Sequence, residues 1–137
     1  MVKKVKQLSL FLDNKPGVLA KVCAVLARHK VNLLGIAVND GHDHAVVRLV
    51  VDNARSALHA FGATGILVVD NDVLMVDVPN RTGALGAIAR SLASAKINIE
   101  YSYATAATNQ KSASLVLSTS DVVGAERVLN RLLAKKA

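Results

Sequence analysis

Asn14-Lys15-Pro16-Gly17-Val18-Leu19 and Asn80-Arg81-Thr82-Gly83-Ala84-Leu85 are two spellings of one loop, set 66 residues apart in a chain of 137. The same offset carries Lys30-Val31-Asn32-Leu33 onto Lys96-Ile97-Asn98-Ile99. It also sets Leu8 over Leu74, Leu26 over Leu92, Ala27 over Ala93 and Leu49 over Leu115. A constant offset means that nothing is inserted between the two motifs. Agreement at this many positions marks an internal repeat, so the two halves are expected to fold alike.

Upstream of the first loop, Leu8, Leu10 and Leu12 alternate as a half-buried strand does, and Leu74, Val76 and Val78 repeat the pattern. Downstream, Val18, Leu19, Val22, Cys23 and Leu26 recur at helical spacing, as do Ala84, Leu85, Ile88, Ala89 and Leu92. Pro16 suits the first turn of such a helix, where a missing N–H costs nothing. Cys23, aligned with Ala89, reads as a small core residue. Strands are expected over 31–39 and 97–108. Asp40-Gly41 is a hairpin turn signal. The returning strand is 45–51, with Val47, Leu49 and Val51 inward, matched by Ala113, Leu115 and Leu117. Helices follow over 53–61 and 121–133, and 66–69 completes the first copy.

That order, β-α-β-β-α-β, is the split-βαβ arrangement of an α+β ferredoxin-like unit. The segment equivalent to 66–69 in the second copy, 132–135, still reads as helix. We therefore expect units at 1–69 and 70–137, the second lacking its last strand. The link 69–73 is short. It suits a hairpin or one long bent strand shared by both sheets, and the sequence leaves both open.

Composition bounds the rest. Half the residues (52%) are hydrophobic, aromatics are 3% and Trp is absent, so the core must be aliphatic. Two units this small bury little alone, which favours a shared core or a homodimer. The outward sheet face, read as Val46, Val50, Ile36 and Val38 around Arg48, is apolar enough to need a cover and points the same way. No segment approaches the ~20 consecutive apolar residues of a membrane helix. The short apolar run after the basic start is broken by Asp13, so a cytoplasmic protein is expected. One cysteine forbids an internal disulfide and fits a reducing compartment. The net charge of +7 lies partly at the ends (Lys3, Lys4, Lys6, Lys135, Lys136) and permits anionic partners without demanding nucleic acid.

An apolar strand, Asn-x-Pro-Gly-x-Leu, an amphipathic helix and then Val-Asn-Leu or Ile-Asn-Ile together resemble the ACT domain, and the resemblance covers nearly the whole chain twice. It implies a regulatory module, not an enzyme. It also implies an amino acid or similar small ligand, bound where the first strand turns into the first helix, at an interface between ACT units. A partner enzyme of amino-acid metabolism is a further implication, the acetolactate synthase small subunit being the nearest analogy.

The chemistry of that site is arguable from its residues. A helix start exposes N–H groups without internal partners, and its dipole favours an anion such as a carboxylate. Gly17 and Gly83 leave room for close approach. Val18, Leu19, Ala84 and Leu85 open the helices behind them. Asn14 and Asn80 offer donor and acceptor, suiting a zwitterion. Asn32 and Asn98, opening the next strand, are expected at the same place, joined in the second copy by Glu100. The plain alternative is a structural turn: Asn as cap, Gly as turn residue.

The copies differ at Asp13 against Pro79, and at Leu34 against Glu100. Asp13 can pair with a ligand amine and Pro79 cannot, but Glu100, with Tyr101 and Tyr103, gives the second copy more polar groups and favours it as the principal site. The tyrosines line a pocket or fill core. No cofactor is implied. His42-Asp43-His44 has metal spacing without a third ligand nearby, and a solvated hairpin is preferred. A basic split-βαβ sheet also describes an RNA-binding module, but the outward positions Gln7, Ser9, Phe11, Val46, Arg48 and Val50 offer a single aromatic for stacking.

Overall fold

The computed structural model describes residues 1–41, 44–105 and 111–134. Its elements are β1 (Val2–Asp13), α1 (Val18–Arg28), β2 (Leu33–Asp40), β3 (His44–Val51), α2 (Ala54–Ala63), β4 (Leu67–Pro79), α3 (Ala84–Ser94), β5 (Ile99–Thr105), β6 (Ser112–Thr119) and α4 (Val122–Ala134). They form two compact units: Lys6–Asn71, and Asp72 onward together with Met1–Val5.

In the Lys6–Asn71 unit the strand order is β2-β3-β1-β4. Leu8 faces Leu49 and Leu10 faces Val47 across β1 and β3. These four and Leu12 meet Val22, Val25 and Leu26 of α1 and Ala57, Ala60 and Phe61 of α2. The core is aliphatic apart from Phe61, as the composition requires. Cys23 is exposed, contrary to expectation. The buried stripe of α1 is Val22, Val25 and Leu26, and position 23 falls outside it.

Ile36 and Val38 also depart from the sequence reading. They pair with Leu49 and Val47, which places them on the helix side and not on the outward face. A register shift between Leu33 and Gly35 is the cause. One extra residue in a strand moves every later side chain to the other face. β5 carries the equivalent shift between Ile99 and Tyr101.

The other unit has the order β1-β4-β6-β5. Leu74 faces Leu117 and Val76 faces Leu115. The structural counterpart of Leu49 is therefore Leu117, and the identity of Leu49 with Leu115 is coincidental. The offset grows from 66 to 68 across the second hairpin, and because two residues preserve the face, the expected inward set survives. The new offset persists. Asn53 caps α2, its side chain accepting from the Ser56 N–H at 3.1 Å, and Asp121 accepts from the Gly124 N–H at 3.0 Å. Ala57 and Phe61 are matched by Ala125 and Leu129, all fully buried.

β4 is one continuous strand, which answers the question left open over 66–78. Among the described residues no strand follows α4, as expected. The fourth-strand position is taken instead by the start of β1. The Asp77 N–H donates to the Met1 carbonyl at 2.9 Å, and Val2 packs against that unit's core of Leu74, Val76, Ile88, Leu92 and Leu129. The packed units thus put Met1–Val5 with the second copy and Asp70 and Asn71 with the first. Among the described residues no helix is long and apolar enough to cross a membrane.

Candidate ligand site

Both copies build the same turn. Asp13 and Pro79 carbonyls accept from the Lys15 and Arg81 N–H groups at 3.1 and 2.9 Å. Gly17 and Gly83 follow as helix N-caps with φ of 89° and 87°. A side chain at such a φ costs roughly 1–2 kcal/mol, so glycine is required by the backbone itself. The first helical bonds run from Lys21 N–H to Gly17 O and from Ala87 N–H to Gly83 O. Neither helix has a side-chain cap, and neither has an acid in its first turn. The positive end of each dipole thus has no counter-charge from its own helix. A Cβ built on either glycine meets nothing within 4 Å, so the space before both helix starts is open.

In the first unit this loop borders a small concavity of about 70 Å³. Asn14, Val18 and Leu19, three of the expected site residues, line it, and Gly17 lies between them in the loop. The wall is completed by Val38, Ala45 and Val47, and the rim by Asp13 and Lys15. Asn14 commits its Nδ2 to Asp40 Oδ1 at 2.6 Å and to the Gly41 carbonyl at 3.3 Å, tying the loop to the β2–β3 hairpin. Sequence reasoning missed Asp40 as a partner, although its turn signal had marked the place. It also missed Val38, which the register shift had hidden.

In the second unit Ala84 lines a dimple of only about 20 Å³ with Val78, Pro79, Arg81 and, from α4, Leu132 and Leu133. The Asn80 N–H donates to the Lys111 carbonyl at 2.9 Å. Leu85 is half exposed, as is Leu19.

Asn32, Asn98 and Glu100 do not join these loops. Asp13 pairs with His44 at the loop end of β3, whereas Leu33 pairs with Val51 at its far end. A βα crossover brings the next strand back parallel to the first, so its start lies opposite the loop. Asn32 and Asp52 hold each other there: Asn32 N–H donates to Asp52 Oδ1 at 2.9 Å, and Asp52 N–H to Asn32 O at 3.0 Å. Asn98 does the same with Ser120, both bonds at 3.0 Å. Glu100 accepts from Ser118 Oγ at 2.8 Å, also far from Asn80. Tyr101 and Tyr103 face Ser118 and Val116 on the side of the sheet away from the core. Among the described residues no cluster of three or more His, Cys, Asp or Glu could hold a metal. His42 and Asp43 lie outside the described residues.

The architecture is that of a tandem ferredoxin-like repeat with one uncapped, glycine-led helix start per unit. A family model for the ACT domain pair matches residues 3–135, and the chain belongs to that family. Protein BT0572 from Bacteroides thetaiotaomicron is similar in structure with a TM-score of 0.88 and 32% identity, over 95% of this chain and 89% of that one. The ligand-free regulatory subunit of aspartate kinase from Thermus thermophilus has a TM-score of 0.70 at 20% identity, over 95% of each chain. The aspartokinase alpha and beta subunits give 0.69 at 18% identity, over 97% of each. At these lower identities the likeness is one of fold. No curated protein matches the sequence.

Proposed function

We propose that this chain is a regulatory, non-catalytic module that binds an amino acid or similar small anion-bearing molecule at its strand-to-helix loops. The observation that carries this reading is the pair of uncapped helix starts, each led by a glycine at positive φ with open space before it. N–H groups of a helix's first turn need an acceptor, and a ligand carboxylate supplies one together with the charge that the dipole favours. The Thermus aspartate kinase subunit, regulatory by name, supports a role in controlling an enzyme of amino-acid metabolism. Self-association is part of the proposal. β2 is an edge strand of its unit, with Leu34 and Val38 exposed at 44% and 52%. Such an edge is normally covered, here by a second copy. A monomer by light scattering at micromolar concentration, with and without ligand, would remove that part.

The binding reading is tested by thermal shift against the twenty amino acids. A ligand at a hundred times its Kd adds about 2.7 kcal/mol to stability, a readily visible rise in Tm. Asn14→Ala should then cost a hydrogen bond to a charged group, about 1.5–3 kcal/mol, or roughly ten- to a hundredfold in Kd. No Tm rise with any amino acid at millimolar concentration sinks the proposal.

A further inference from the structure

One surface occurs in both copies of the repeat, open in the first and filled in the second. In the first unit a groove of about 360 Å³ runs between the end of β1, the start of α1 and the turn into β4. Its lining includes Leu12, Asp13, Lys15, Val18, Lys21 and Val22. At the offset of 66 these become Val78, Pro79, Arg81, Ala84, Ala87 and Ile88, and all of them line the second unit's dimple of about 20 Å³. The remaining wall makes the difference. Past α2 the chain turns at Thr64 and Gly65, with φ of 77° at Gly65. At the offset of 68 their counterparts are Leu132 and Leu133, because α4 continues to Ala134. These two leucines pack on the second unit's core and close the dimple. Gly65 supplies nothing in their place: a Cβ built on it meets no atom within 4 Å.

The open groove keeps apolar groups in contact with solvent. Phe11 and Leu67 are 40% and 63% exposed, and Val18 and Ile66 are only partly buried beside them. Exposed apolar surface gathered in a concavity marks an interaction site. We propose that this groove docks an amphipathic helix of a partner protein, its leucines seated where the second unit seats Leu132 and Leu133. That unit shows the chemistry that fits, leucine side chains from the last turn of a helix. A partner helix offers the same groups on one face, at i and i+4. The rim sets the charge of the rest. Asp13 and Lys15 lie 3.9 Å apart and answer each other, which leaves Lys21, exposed on α1, and the uncapped positive end of that helix. Acidic residues flanking the leucines complement both. The groove lies on the β4 side of β1, whereas the small concavity with Val38 and Val47 lies on the β3 side. The inference therefore goes beyond amino-acid binding and does not depend on it.

Fluorescence anisotropy on the full chain tests this with labelled, end-capped, alanine-based helical peptides. One peptide carries Leu at i and i+4 with Glu on either side. In a second the leucines are replaced by serine, and in a third the glutamates are replaced by lysine. The Leu–Glu peptide should bind tightest, and the serine peptide should lose roughly tenfold or more, the worth of burying a leucine. The lysine peptide should also be weaker, and Lys21→Glu should reverse its order with the Leu–Glu peptide. Leu67→Asp, at a position 63% exposed, should weaken the Leu–Glu peptide by about tenfold or more with the urea midpoint nearly unchanged. Equal binding of the serine and Leu–Glu peptides, or no binding of any peptide at high micromolar concentration, overturns the proposal. Leu–Glu affinity unchanged in both variants overturns it too, since the helix would then sit elsewhere. Displacement of the peptide by free leucine would make the groove a small-molecule site. A dimer by light scattering that Leu67→Asp dissociates would make the occupant a second copy. Either outcome removes the partner helix.

Discussion

Thr119 shows what a single residue costs when the two copies are set side by side. With the offset of 68 it occupies the position of Val51, and it is 6% exposed against 7%. Valine and threonine share a shape, so the backbone accepts either. The hydroxyl Oγ1 is the difference: it is buried and has no hydrogen-bond partner. Removing a buried, unsatisfied polar group recovers its desolvation penalty, on the order of 1–3 kcal/mol. Thr119→Val should therefore raise stability by at least about 1 kcal/mol, read as a higher urea midpoint at unchanged slope. A lower midpoint would mean that the hydroxyl is satisfied by water in solution. The aligned sequence displayed Thr against Val only after the offset was corrected; at 66 the residue opposite Thr119 is Asn53.

The helix ends explain why Lys30-Val31-Asn32 and Lys96-Ile97-Asn98 repeat. Lys30 and Lys96 have φ of 57° and 61°. Their N–H groups bond to Ala27 O and Ala93 O, and those of Val31 and Ile97 to Leu26 O and Leu92 O. This is the Schellman closure, with Val31 on Leu26 and Ile97 on Leu92 as its apolar contact. The motif was legible as a repeat, but read toward a ligand site when its work is ending a helix. A left-handed lysine costs roughly 1–2 kcal/mol, of which glycine's greater unfolded-state freedom takes back part. Lys30→Gly and Lys96→Gly should each stabilise by about 0.5–1 kcal/mol in chemical denaturation. Destabilisation by either would show that the lysine side chain contributes more than the strain costs. Elements themselves were largely legible, because helix and strand periods differ strongly in a sequence this aliphatic. The register shifts at Gly35 and Tyr101 were not, because a one-residue slip leaves composition and period unchanged on either side. The site suffered the same way. The turn at each helix start is legible from its own residues, whereas the distance of Asn32, Asn98 and Glu100 from it is not, because it depends on which end of the sheet a crossover returns to.

At the scale of the molecule, the two cores close by different routes. The Lys6–Asn71 unit obtains its fourth strand in sequence order, from the first half of β4, where Lys6 pairs with Asp70 at 3.8 Å and Gln7 Nε2 donates to Asn71 Oδ1 at 3.3 Å. The other unit obtains its fourth strand from the opposite end of the chain, through Val2–Val5. No reading of the second copy alone reveals this, since the completing residues precede the repeat that they complete. The consequence is an asymmetric response to loss of Met1–Val5. Deletion removes Val2 from the second core, together with the Met1 carbonyl bonded to the Asp77 N–H. Burial of one valine and the ladder bonds of a short strand together are worth at least about 2 kcal/mol. Native-state hydrogen exchange should show lowered protection across β4 beyond Asp72 and along β6, with amides of β3 and α1 nearly unchanged. Val2→Asp should reproduce the pattern at smaller amplitude, because it keeps the backbone bonds and removes only the apolar contact. Equal loss of protection in both units would mean that they unfold as one, and the N-terminal strand would then belong to the whole chain and not to the second unit.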